Sequence, residues 1–387
     1  MRMKKRILHI LTFALSLLFL VSLSIFAPLT ASAQNRSVNL LKNEPFNKVQ
    51  ALAKKDNKLI FLDFGSPRCS PCLYMKNEIF TIDSVADFVN KHFVSADYTE
   101  GPEKKRLAAI YDVYTEPVFI LIDSDGNLMH RSEGRSTAGE MLERFRQAMD
   151  KDNNLVALNA KYAGGERDVD FLLYYINTLH IAGLREKKQE VLTNIFNNNF
   201  DLNSLYSEEY WKIYSKYDES AVSRQTIFVM DNMDKFIKEY GSIEVLAKIE
   251  RLYGGNARGY IFGRKAPSED PDYFIILKQA QKSNHPNASK WLAYLVPAGY
   301  KFSDWPQMAK EIENALAFNI LKDREREMYK KMMSEQLAWY CNDINALPYS
   351  IKWIDAMLEY TADTDIIESI KGTRESVVKK IEELSKK

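Results

Sequence analysis

Cys69 and Cys72 stand three residues apart with Ser70 and Pro71 between them. At that spacing two thiols can close a disulfide, open it and exchange it with another molecule. Placed at the mouth of a strand and the first turn of a helix, the first sulfur meets unpaired backbone N–H groups whose partial positive charge favours a thiolate. The second thiol is then close enough to attack a mixed disulfide formed on the first. Pro71 suits that first turn, where its missing N–H costs nothing. Two other readings of the pair remain open, an inert structural disulfide and half of a zinc site. The zinc reading needs two further ligands, and the sequence offers no second cysteine pair and no clustered histidines. The third cysteine, Cys341, follows Leu337 by one helical turn on an expected apolar face and reads as an inert core thiol.

The elements that must position the pair can be read from residues 38–150. A short helix is expected over 46–54 and a buried strand over 58–64, Lys-Leu-Ile-Phe-Leu-Asp-Phe, with the cysteines directly after it. A helix should start at Cys72, with a second helical piece over 84–91, a strand over 93–97 and a helix over 103–111. Pro117 opens a very apolar strand, Val118-Phe119-Ile120-Leu121-Ile122. Asp125-Gly126 then turns the chain into a second strand over 128–132, a hairpin signal. Thr137 with Glu140 at the capping-box spacing predicts a last helix over 138–149.

Beyond Asp150 the periodicity is helical throughout. Val169, Leu172, Leu173, Ile176 and Leu179 share one face, as do Met328, Met332, Met333, Leu337 and Tyr340. Breaks at Gly164-Gly165, Gly254-Gly255, residues 267–271, Pro286, Pro297 to Gly299 and Pro348 predict eight to ten helices, in an irregular bundle or an α-solenoid. No repeat of about 34 residues survives counting, so a tetratricopeptide-like (TPR-like) array is an architectural expectation only. Trp211, Trp291, Trp305, Trp339 and Trp353 read as core, with a ligand groove as the alternative.

Two further signals are set aside. Asp123 to Asn127 opens like a calcium loop, but Gly134 stands where the twelfth-position Glu belongs, so it reads as a turn. Gly254 to Gly259 is glycine-rich without a following Gly-Lys-Ser/Thr or a preceding strand, so it reads as a loop between helices rather than a phosphate cradle.

Residues 1–33 form a segment apart: Arg2, Lys4, Lys5 and Arg6, an apolar run, then Ala31-Ser32-Ala33. That order predicts a signal peptide cleaved before Gln34, with a retained membrane anchor as the alternative. No cysteine follows the run, which argues against a lipoprotein. Cleavage turns the net charge of +1 into about −3, which gives no reason to expect nucleic acid. Hydrophobic residues at 46% and charged residues at 27% describe a chain that folds, and 387 residues suit two domains. The expected division is 1–33 signal peptide, 34–150 α/β domain and 151–387 all-helical domain, soluble once the signal is removed. Its place would be the periplasm or another extracytoplasmic compartment, where disulfides persist.

Asp63-Phe64-Gly65-Ser66-Pro67-Arg68-Cys69-Ser70-Pro71-Cys72, with Glu116-Pro117-Val118-Phe119 later, resembles the thioredoxin family over about residues 38–150. The resemblance implies an α/β thioredoxin fold ahead of the all-α domain. The family's buried acid six residues before the first cysteine falls on Asp63, its hairpin-opening cis proline on Pro117, and its glycine before the last helix on Gly134. By that resemblance Cys69 is the nucleophile and Cys72 the resolving thiol. Asp63 accepts the Cys72 proton, and Pro117 walls the substrate side with Glu116 beside it. On their own residues, Asp63 could also be a solvent-facing strand-end acid and Pro117 an ordinary trans proline. Two departures stand out: Arg68 replaces the usual aromatic, and Ser70-Pro71 the usual Gly-Pro. Pointing inward, Arg68 would tune the Cys69 pKa downward; pointing outward, it lies in solvent.

Two functions follow. In the first, the protein is an extracytoplasmic thiol-disulfide oxidoreductase that uses no cofactor or metal. It exchanges disulfides with exported protein substrates or an upstream thiol donor through Cys69. In the second, the helical domain carries a binding or scaffold role and the pair rests as a structural disulfide. The helical half also resembles extensions of exported thioredoxin-like proteins of Gram-negative bacteria, which carries over no activity.

Overall fold

The computed structural model describes residues 36–263, 266–318 and 320–386; the signal-peptide reading lies outside them. No helix of the described residues is long and apolar enough to cross a membrane. The chain forms two compact units. The first runs through Arg167 and takes in Asn177–Arg185; the second comprises Asp168–Ile176 and everything from Glu186 onward.

The first unit is built on a five-stranded sheet of β1 (Leu40–Lys42), β2 (Leu59–Phe64), β3 (Phe93–Tyr98), β4 (Val118–Ile122) and β5 (Leu128–Glu133), in the order β1-β3-β2-β4-β5. β1, β3 and β2 run parallel, and β4 and β5 continue the sheet antiparallel. Helices α1 (Phe46–Asp56) and α4 (Gly101–Ile110) bury Val49, Ala53 and Leu107 against Ile60, Leu62, Phe64, Val94 and Ile120. The other face packs Phe61, Phe93, Phe119 and Leu121 under α2 (Ser70–Tyr74, continued by a π-helical turn Met75–Ile79), α3 (Asp83–His92) and α5 (Ala138–Met149). Strands sandwiched this way must be apolar on both faces, which is why β2 and β4 read as continuous apolar runs. Alternation along β2 puts Ile60, Leu62 and Phe64 on one face and Phe61 with Asp63 on the other. One carboxylate is thereby driven into the apolar layer beneath α2.

The expected strands and helices of this unit are present, with two differences. β1 was not anticipated; three residues are too few for a pattern, and pairing with β3 creates the strand. α2 begins at Ser70 rather than Cys72, because Cys69 itself caps it. Thr137 and Glu140 form the anticipated capping box, and Asp123 organises the anticipated turn through Asp125 N and Asn127 N, each at 2.9 Å.

After α5 come α6 (Leu155–Ala163), α7 (Val169–Ile181), α8 (Arg185–Ile195), α9 (Glu208–Tyr217), α10 (Arg224–Asp231), α11 (Met233–Tyr240) and α12 (Ser242–Phe262). They are followed by α13 (Pro271–Lys282), α14 (Ala288–Ala298), α15 (Trp305–Ala317), α16 (Asp323–Tyr340), α17 (Leu347–Leu358) and α18 (Thr364–Leu384). The all-helical reading holds, but thirteen helices among the described residues exceed the eight to ten expected. Several of the extra breaks, such as Asn232 between α10 and α11, carry no glycine or proline to announce them, whereas Gly183 and Gly241 mark two that the sequence reading passed over. Gly254-Gly255 is a clear correction: it lies inside α12, not in a loop. A Cβ at Gly254 would stand 2.3 Å from Glu250 Oε1, and that carboxylate accepts the Trp291 indole N–H at 2.7 Å. The glycine makes room for a buried polar contact, and packing overrides its low helix propensity.

The tryptophans fill helix interfaces. Trp211 donates to Glu244 at 2.6 Å and Trp353 donates to Glu313, each joining neighbouring helices. Trp339 differs, being 64% exposed. On α16, Met333 and Leu337 are buried as expected, but Met328 and Tyr340 are exposed, and Tyr329 packs inward instead. Cys341 is fully buried and unpaired with another cysteine.

Candidate functional site

The site begins where β2 ends. Cys69 and Cys72 are joined as a disulfide. Cys69 is the N-cap of α2, its Sγ accepting the Cys72 N–H at 3.2 Å. It is partly exposed, whereas Cys72 is 2% exposed. An attacking sulfur at the surface with a protected partner behind it is the arrangement that exchange requires. Gly65 presses against the inner sulfur: a Cβ there would lie 3.0 Å from Cys72 Sγ.

Beneath the helix, Asp63 is 1% exposed, and neither of its carboxylate oxygens has a hydrogen-bond partner. It stands in register with Asp97 on β3. Lys76, one turn beyond Cys72 on the same helix, reaches down between them, 2.7 Å from Asp97 Oδ1 and 3.6 Å from Asp63 Oδ2. Burial pushes the Asp63 carboxyl up; the Lys76 ammonium opposes this and the Asp97 charge reinforces it, leaving a pKa of about 7. The solvent-facing alternative for Asp63 is therefore excluded. A buried carboxyl with such a pKa can take up or release a proton near neutrality.

The opposite wall is the loop entering β4. The Glu116–Pro117 peptide is cis, Pro117 is buried, and its carbonyl accepts the Gly134 N–H at 2.9 Å. The carboxylate of Glu116 comes within 4.8 Å of both sulfurs. Burial pushes Glu116 up, but hydrogen bonds from Lys104 and Ser66 and the charges of Lys104 and Lys76 outweigh it and hold it below the ordinary range. Lys104 spans Glu116 at 2.5 Å and the Gly65 carbonyl at 2.8 Å, tying the two walls together. Cys69, Cys72 and Glu116 form the one set among the described residues whose ligand atoms cluster as a metal site would need. With the sulfurs bonded to each other and Glu116 engaged by Lys104, the set is occupied by its own contacts.

The fold thus gathers Cys69, Cys72, Asp63, Glu116 and Pro117, while Arg68 is exposed beside them. Lys76, Asp97 and Lys104 were not singled out in the sequence. Lys76 carried one usable signal, its position four residues after Cys72 on the same helix face.

Residues 46–149 match the family model for a thioredoxin-like domain. This unit is a thioredoxin-like domain. Among solved structures it is similar to a candidate disulphide-isomerase from Bacteroides thetaiotaomicron, 27% identical, covering 30% of this chain and 98% of that one with a TM-score of 0.29. A thioredoxin from Thermus thermophilus is 25% identical, covering 29% and 88%, with a TM-score of 0.27. Thioredoxin f from spinach chloroplast is 19% identical, covering 30% and 95%, with a TM-score of 0.24. No curated protein matches the chain. The thioredoxin-like domain with its Cys69–Cys72 disulfide suggests thiol-disulfide oxidoreductase chemistry.

Proposed function

We propose that the protein is an extracytoplasmic thiol-disulfide oxidoreductase that exchanges disulfides with exported proteins. The observation that carries this reading is the asymmetry of the pair: Cys69 partly exposed at a helix N-terminus, Cys72 buried, with a buried carboxyl poised near neutrality under the same helix. In the reducing direction the Cys69 thiolate attacks a substrate disulfide. A Cys69–substrate S–S bond forms, the substrate S–S bond breaks, and one substrate sulfur leaves as a thiolate that takes a proton. Asp63 accepts the Cys72 proton, and the Cys72 thiolate attacks the Cys69 sulfur. The pair closes to a disulfide and the second substrate thiol departs, so two electrons have passed to the substrate. The oxidising direction is the reverse.

Export rests on the N-terminal basic-apolar-small pattern and on the use of a disulfide. The experiment is a trap. Cys72→Ala expressed in the native compartment should accumulate higher-mass species that collapse on reduction, and adding Cys69→Ser should abolish them. An empty trap beside a wild-type pair that resists reduction would overturn the reading and favour a structural disulfide in a binding protein.

A further inference from the structure

Glu133 ends β5 and pairs in register with Val118, the residue after Pro117. Its carboxylate is held twice: Oε2 accepts from the Thr115 hydroxyl at 2.8 Å, and Oε1 accepts from Arg185 Nη2 at 3.1 Å. The residue that follows, Gly134, grips the Pro117 carbonyl. The loop facing the cysteines is therefore fastened from the end of β5 on both sides of Glu116.

What keeps the carboxylate there comes from much later in the chain. Gly183 has φ +68°, and a Cβ on it would lie 2.0 Å from Glu133 Cδ and 2.1 Å from Oε2. The bare Cα of Gly183 is the wall against which the Glu133 side chain, 18% exposed, is seated. The Arg185 ion pair adds little, because Arg185 is 75% exposed and exposed pairs are screened by water. The close approach at Gly183 and the Thr115 hydrogen bond decide the geometry.

We propose that Gly183 seats the Glu133 carboxylate against Thr115, making Glu133 a positioning residue for the Thr115–Pro117 loop and hence for a disulfide docking beside Pro117. Sequence beyond residue 150 thus completes the redox site. Only the docking clause rests on the proposed oxidoreductase function; the seat itself does not.

The test uses the full chain with Gly183→Ala, Thr115→Val and both together. Each single variant should speed amide hydrogen exchange across residues 114–118 and 133–134 by about five- to tenfold, the scale of one lost hydrogen bond. The double variant should add nothing to either single, because all three break one contact. Thr115→Ser, which keeps the hydroxyl, should behave as wild type, and Thr115→Val, which leaves Gly183 in place, separates the contact from the backbone strain of alanine at positive φ. With a disulfide-bonded peptide each single variant should raise KM several-fold at unchanged kcat, while reaction with a small aromatic disulfide, which needs no docking, stays unchanged. Unaltered amide exchange in both singles, or additive effects in the double, overturns the proposal. A wild-type protein that exchanges no disulfide removes the functional reading, and amide exchange still decides the seat.

Discussion

Asp63 and Asp97 stand opposite each other on neighbouring parallel strands, both buried, with the single ammonium of Lys76 between them. One cation cannot fully satisfy two carboxylates in so dry a place, and Asp63, with no hydrogen bond, carries the deficit.

The pH dependence of stability follows from that deficit. The Asp63 pKa is about 7 in the folded protein and about 4 in an unfolded chain. Between those values the unfolded state has released a proton that the folded state keeps, so the contribution of Asp63 to stability falls as pH rises from about 4 to about 7 and then levels. Asp63→Asn should remove this slope. Each tenfold change in proton affinity is worth about 1.4 kcal/mol, so the variant should be more stable than wild type by up to roughly 4 kcal/mol at pH 8. At pH 4 the two should be nearly equal. Denaturant unfolding across that range checks it; a gap independent of pH rules out Asp63 as the titrating group.

His130 gives the opposite slope over nearly the same range, so the two contributions largely offset in the wild type and each emerges only when the other group is replaced. Burial, assisted by the Arg144 charge, pushes its pKa down to about 4, while Nδ1 accepts the Leu155 N–H at 3.3 Å. Below about 6.5 the unfolded chain binds a proton there that the folded state refuses, so the contribution of His130 is complete above that pH and lost as pH falls toward 4. His130→Gln should flatten this loss by roughly 3 kcal/mol. An unchanged acid limb in the variant would assign the loss to other groups.

The Lys104–Glu116 pair should govern thiolate reactivity in the reduced protein. With Lys104→Met the Glu116 charge is left uncompensated close to both sulfurs, and alkylation of Cys69 at pH 7 should slow about tenfold, as a tenfold weaker thiol acid would. Glu116→Gln should speed it. Rates that move together in both variants would point to a structural disturbance instead.

Cys341 should be silent. Burial pushes its thiol up, and its Sγ donates to the Asp343 carbonyl at 3.2 Å. Under native conditions with the pair oxidised, an aromatic disulfide reagent should titrate no thiol, and in denaturant one. Prompt native reaction would show an opening that exposes the end of α16.

The cysteine pair was legible because its spacing is local: Cys69, Pro71 and Cys72 announce themselves within four residues, and the apolar runs of β2 and β4 announce a buried sheet. The pairing of Lys76 with Asp97 was not legible, because it is a meeting 21 residues apart in sequence, created where the helix after Cys72 packs over the register of β2 and β3. Gly183 was hidden for the same reason. Gly254-Gly255 misled because a glycine pair signals a break only when no neighbour needs the space, and Glu250 needs it.

The five tryptophans lie at 211, 291, 305, 339 and 353, all in the second unit, and the position beside the first cysteine holds Arg68. The thioredoxin-like domain is thus dark to indole fluorescence. Emission excited at the red edge of the near-ultraviolet reports the helical unit alone, whose buried indoles Trp211, Trp291 and Trp353 should shift to the red when it opens. Opening or closing the Cys69–Cys72 bond has no indole within its own unit to quench. A chemical titration that leaves this emission flat is therefore no sign that the disulfide is intact, and the two halves of the chain can be watched melting in separate optical channels.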